Sequence, residues 1–163
     1  MSVEVCVDIT VDDDQWAKLD LATLAHRACV EGLAKLGMTG AYTISLLATN
    51  DAQIARLNQE FRGTPSATNV LSWPTEDLAP TAPGLRPKLP QDHDIGDIAL
   101  SYETCVAEAT SFDISLHDHV THLVLHGCLH LLGFDHEHDA DATVMESLEI
   151  ETLAKLGIKN PYL

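Results

Sequence analysis

At 163 residues, 45% of them hydrophobic, the chain is long enough to bury one core without disulfide or metal staples. Nine Lys and Arg against 25 Asp and Glu give a formal charge of -16. That balance excludes a generic basic nucleic-acid surface and leaves any RNA contact to a local cluster, a metal or a partner. No apolar run approaches the roughly 20 residues that cross a bilayer. The alternating, acidic N-terminus is neither a signal nor a transit peptide, so a cytoplasmic address is expected. Cys6, Cys29, Cys105 and Cys128 form no Cys-x-x-Cys pair and read as reduced packing thiols.

Val3, Val5, Val7, Ile9 and Val11 alternate with polar residues and Cys6, the period-2 pattern of a half-buried strand. Asp12 to Asp14 then offer an N-cap and first-turn acids for a helix over residues 15 to 36, with Leu21, Leu24, Ala25 and Ala28 on its stripe and Gly37 ending it. A second strand is predicted over 42 to 48. A short helix capped by Asn50 or Asp51 follows over 52 to 61, and a third strand over 68 to 73 is stopped by Pro74. Five prolines from Pro74 to Pro90 exclude regular structure there and predict a long flap. Residues 95 to 100 read as a fourth strand. Helical pattern covers 102 to 112, 115 to 132 and 139 to 156, the last with Val144, Leu148, Leu153 and Leu156 on one face. Strands early and helices late predict an α+β fold: a small, mainly four-stranded mixed sheet packed with about five helices, as a single domain over 1 to 163.

The stretch from His126 to His136 reads as chemistry. His126 and His130, four residues apart, share one helix face. Gly133 can take the positive φ that ends a helix, and the returning chain then delivers His136 to the same point. Three imidazoles with an open fourth position describe a catalytic zinc site. His122 chelates equally well on helix geometry alone, and the turn at Gly133 favours His136 over it. Cys128 faces the opposite side of the helix. The His-x3-His-x2-Gly-x2-His spacing is similar to that of the metzincin peptidases, but Gly127 stands where those enzymes carry their glutamate base. Gly127 itself fits either close packing on a neighbouring helix or room for substrate beside the metal.

Other positions are less specific. Arg62 suits the end of a helix as a cation favourable to the dipole. Asp135, beside a ligand, either orients an imidazole or serves as acid or base. Asp97 follows Gly96 and reads as turn chemistry. Arg86 and Lys88 read as solvated loop charge.

Three blocks carry a resemblance to a known family: Leu57-Asn58-Gln59-Glu60-Phe61-Arg62-Gly63 with Thr68-Asn69-Val70-Leu71-Ser72-Trp73, then Gly96-Asp97-Ile98-Ala99-Leu100-Ser101, then His126 to His136. On these the chain resembles the YbeY family of zinc-dependent endoribonucleases, which mature ribosomal RNA. The resemblance implies an α+β fold, one zinc ion on His126, His130 and His136, and action on the small-subunit rRNA, especially its 3′ end. It makes Arg62 and His126 the catalytic candidates, with Arg62 as a bidentate phosphate clamp. The expected partners are that RNA and the small ribosomal subunit with its proteins, with no organic cofactor and no membrane. The family usually has Asp and Phe where this chain has Asn69 and Trp73. Two rival functions remain: a zinc peptidase drawing its base from Glu137 or Glu146, and a non-catalytic ribosome assembly factor whose zinc holds the C-terminal helices.

Overall fold

The computed structural model describes residues 2–163. Strands β1 (Val3–Val11), β2 (Gly40–Thr49), β3 (Val70–Pro74) and β4 (Asp94–Ser101) form one sheet in the order β1-β2-β4-β3. The first three strands in that order run parallel, and β3 pairs antiparallel with β4 at an edge. Helices α1 (Leu21–Lys35), α2 (Asp51–Arg62), α3 (Tyr102–Ser111), α4 (Leu116–Leu131) and α5 (Asp139–Lys155) surround it. The mixed four-stranded sheet and five helices are the α+β arrangement that the pattern predicts. No helix among the described residues is long and apolar enough to cross a membrane.

The two sheet faces are covered unequally. Ile44, Leu46, Ile98 and Leu100 join α1, α4 and α5 in the main core. Ala99 faces the other way, where Ile54 of α2 and Leu71 of β3 form a smaller cluster. The central strand β4 is therefore buried on both faces, whereas β1 keeps the alternation seen in the sequence. Cys29, Cys105 and Cys128 are buried thiols as expected; Cys6 is exposed, because it lies on the outward face of the edge strand β1. Cys128 meets Cys29 where α4 packs on α1, and that contact together with burial pushes the Cys29 thiol up.

The single helix predicted over 15 to 36 is two elements. Residues Asp14–Lys18 make a 3-10 helix, capped by the Asp13 carboxylate accepting from the Gln15 amide at 2.9 Å. Asp20 starts α1 anew by accepting from the Thr23 amide at 3.3 Å. Trp16 forces the break: its indole is 1% exposed and donates to the Thr49 carbonyl at 2.8 Å, an anchor outside the stripe that α1 buries.

Residues 75 to 93 between β3 and β4 contain no helix and, before the start of β4, no strand. The predicted flap is tied down rather than free. Leu78 is buried, its carbonyl accepts from the Lys88 amide at 3.3 Å, and the Gly84 amide donates to Asp141 of α5 at 2.8 Å. Arg86 and Lys88 are exposed, as solvated loop charge.

Candidate metal centre

Helix α4 starts at Ser115, whose hydroxyl accepts from the Asp118 amide at 3.1 Å, and buries most of its length. Its last two turns carry His126 and His130 on one face, with ring centroids 4.5 Å apart and Nε2 atoms 3.0 Å apart. The helix ends in a Schellman pattern. The Gly133 amide bonds the His130 carbonyl at 3.0 Å, and the Phe134 amide bonds that of Leu129 at 3.1 Å. Gly133 sits at φ 95°, and a Cβ there would stand 2.6 Å from the Leu78 carbonyl oxygen. Only glycine makes this turn against the Pro-rich excursion. Phe134 is buried and draws the chain back. His136 then lies with its ring centroid 5.4 Å from His126 and 5.2 Å from His130. Each of the three rings offers a nitrogen within 4.8 Å of the others.

These residues fit a divalent cation. Nitrogen ligands about 2.0–2.1 Å from a tetrahedral zinc stand roughly 3.3 Å from one another, close to the 3.0 Å between His126 and His130. Burial, with His126 and His136 alongside, lowers His130 to about 4, so it is a neutral imidazole near pH 7, the form that ligates. Asp135 accepts from the His136 amide at 2.7 Å and so braces the turn that carries the third imidazole.

A cleft of about 790 Å³ opens over the three histidines, lined also by Arg62, Asp135 and the excursion. The predicted site residues therefore share one cleft. Arg62, the last residue of α2, reaches the edge strand β3 and donates through Nη2 to the Ser72 carbonyl at 2.9 Å. That bond occupies one of its five donors, and Arg62 is the one Lys or Arg lining the cleft among the described residues. Gly127 packs on a strand rather than on a helix: a Cβ there would stand 3.3 Å from Ile98 of β4. Asp97 lies outside the cleft and is no turn residue. It pairs with Ser45 within the sheet, and burial followed by Asp94 raises its carboxyl.

The residue that sequence reasoning missed is Glu149 of α5. Its side chain is 1% exposed. It accepts from His122 Nε2, from His126 Nδ1 at 3.2 Å and from the Tyr162 hydroxyl at 2.8 Å. Burial works to raise its carboxyl, but the hydrogen bonds from His122 and His126 outweigh it and hold it at about 2. Burial, then the Glu149 charge, pushes Tyr162 up. His122 thus faces Glu149 instead of the cleft, although His122, His126 and Glu149 form a second group close enough to hold a cation. The signal was present: Glu149 sits among Met145, Leu148, Thr152 and Leu153 on the buried face of α5, a place where an acid needs partners.

A family model described as Endoribonuclease YbeY matches residues 7–157. The chain belongs to the YbeY family. Among its relatives, the Endoribonuclease YbeY of a Jannaschia species is 51% identical over 158 residues, spanning 96% of this chain and 99% of that one. That of Dinoroseobacter shibae is 52% identical over 162 residues, spanning 96% and 90%. The solution structure of TM1509 from Thermotoga maritima shares the fold, with a TM-score of 0.60 at 22% identity over 93% of this chain and 89% of that one. Within this YbeY-family site, Asn69 has a local reason to be neutral. Its side-chain amide donates to Glu108, which also takes His119 Nε2 at 2.8 Å.

Proposed function

We propose that this chain, working as one domain, is a zinc-dependent endoribonuclease that cuts single-stranded RNA. Its substrate is the 3′ end of the small-subunit rRNA, met in the cytoplasm on the small ribosomal subunit and its proteins. The relatives named Endoribonuclease YbeY support the reaction class. The observation that carries it here is one cleft holding three converging imidazoles and a guanidinium with donors to spare.

His126, His130 and His136 hold the ion. A zinc ion bound there supplies Lewis acidity to a phosphate oxygen or to the attacking oxygen. Arg62 pairs two oxygens of the same phosphate and offsets the charge that builds during cleavage. Its bond to Ser72 fixes the guanidinium beforehand, which lowers the entropy lost on binding. Asp135 holds the His136 turn by its backbone bond and acts as a positioning residue. With a net charge of -16, the surface offers no general attraction for RNA, so the ribosome presents the strand and the cleft supplies the contact.

The peptidase alternative finds no support at Gly127, where a glutamate side chain would meet Ile98. Of its two proposed bases, Glu137 lines the cleft and Glu146 does not. The test is cleavage of a single-stranded and a duplex RNA by zinc-loaded protein, with casein beside them. Cutting of the single strand that stops on chelation is expected. Unchanged RNA cleavage after chelation, or digestion of casein without RNA cleavage, overturns the proposal.

A further inference from the structure

The Glu149 carboxylate is buried between α4, α5 and the C-terminal segment, away from the cleft, and no step proposed above uses it. A carboxylate only accepts hydrogen bonds. His126 must therefore carry its proton on Nδ1, the atom 3.2 Å from Glu149 Oε2, and a neutral ring then presents a bare lone pair at Nε2. That Nε2 is the atom 3.0 Å from Nε2 of His130. The same carboxylate takes His122 Nε2 and the Tyr162 hydroxyl through Oε1. His122 and Tyr162 stack edge to face at 5.7 Å, so the 157–162 segment closes over the pair.

We infer that Glu149 is a positioning residue for the metal centre: it locks the tautomer and ring orientation of His126, and Tyr162 and His122 hold it in place to do so. The three groups form a clamp built from three separate parts of the chain. Glu149 works on the metal through one imidazole and does not touch the ion. The inference rests on reading His126, His130 and His136 as the cradle.

The test measures zinc affinity by competition with a chromophoric chelator, metal-to-protein stoichiometry, and the visible spectrum of the cobalt-substituted protein. Wild type is compared with Glu149→Gln and Tyr162→Phe. Partners of metal-bound histidines typically account for about 10–100-fold in affinity, so Glu149→Gln is expected to weaken zinc by that order and to shift the cobalt bands. Tyr162→Phe removes one hydroxyl from a half-exposed side chain and is expected to weaken zinc several-fold with the far-UV spectrum unchanged. If the Gln variant does not fold, Tyr162→Phe decides alone. Variants with wild-type affinity and cobalt spectrum overturn the clamp. So does a stoichiometry of two ions whose second is lost in Glu149→Gln, because the carboxylate would then be a ligand. Wild type that binds no metal sinks the cradle reading itself. An absence of RNA cleavage with clamp-dependent zinc binding removes only the proposed reaction.

Discussion

Asn69 donates its side-chain amide to both oxygens of Glu108, at 2.9 and 3.3 Å, and with its own Oδ1 accepts the Val70 amide at 2.7 Å. The residue just before β3, beside the cleft, is thus tied to α3 by a neutral donor. An aspartate could keep the bond to Val70 but would set a second carboxylate against Glu108. We expect Asn69→Asp to cost about 1–2 kcal/mol at pH 7, the order of a lost hydrogen bond with a half-buried acceptor left over. Urea unfolding would read this, and adding Glu108→Gln to the same chain should recover most of it. Additive losses would mean that the two residues do not interact.

Acid should unfold the metal-free protein in two stages. His130 is lowered from 6.5 to about 4 by burial and by His126 and His136. The unfolded chain therefore binds the proton first, and stability present above about pH 6.5 falls away down to about 4. Glu149 is lowered from 4.5 to about 2. Its contribution is intact above about 4.5 and is lost as pH drops toward 2. Thermal midpoints of the metal-free protein should thus fall between pH 7 and 5, before any carboxylate accounts for it. His130→Asn should flatten that first stage and leave the second.

The three histidines were legible because everything that gathers them is local. The α-helical period aligns His126 with His130, and a Schellman turn at Gly133 returns His136. Sheet content was legible for the same reason, since β1 alternates and Pro74 marks the end of β3. What failed depends on contacts distant in sequence. The predicted long helix breaks because Trp16 bonds Thr49, 33 positions away. Glu149 finds its partners only when α5 docks on α4. Arg62 reads as a helix-end cation until the fold brings the edge of β3 to it.

Gly133 carries a structural prediction with a chemical consequence. At φ 95°, with the Leu78 carbonyl oxygen 2.6 Å from where a Cβ would sit, Gly133→Ala must move either the turn or the excursion. A loss of about 1–3 kcal/mol in stability is expected from the strained backbone. Zinc affinity should drop with it, because His136 depends on the turn while His126 and His130 do not. Calorimetry and chelator competition on the same sample check both. Equal zinc affinity in the variant would show that His136 reaches the site without this turn.

Arg62 separates catalysis from folding more cleanly than any histidine does. It is exposed, its one side-chain hydrogen bond among the described residues goes to the Ser72 carbonyl, and it touches none of the three imidazoles through a hydrogen bond. Arg62→Ala should therefore leave the unfolding free energy within about 0.5 kcal/mol of wild type and leave zinc binding unchanged. Loss of a donor aimed at developing charge typically costs about 10²–10³ in rate, and single-turnover RNA cleavage should fall by that order. Arg62→Lys should recover only part of it, since an ammonium keeps the charge but cannot span two phosphate oxygens. Full recovery with lysine would reduce the role of Arg62 to its charge, and an unaffected rate in Arg62→Ala would remove it from the reaction altogether.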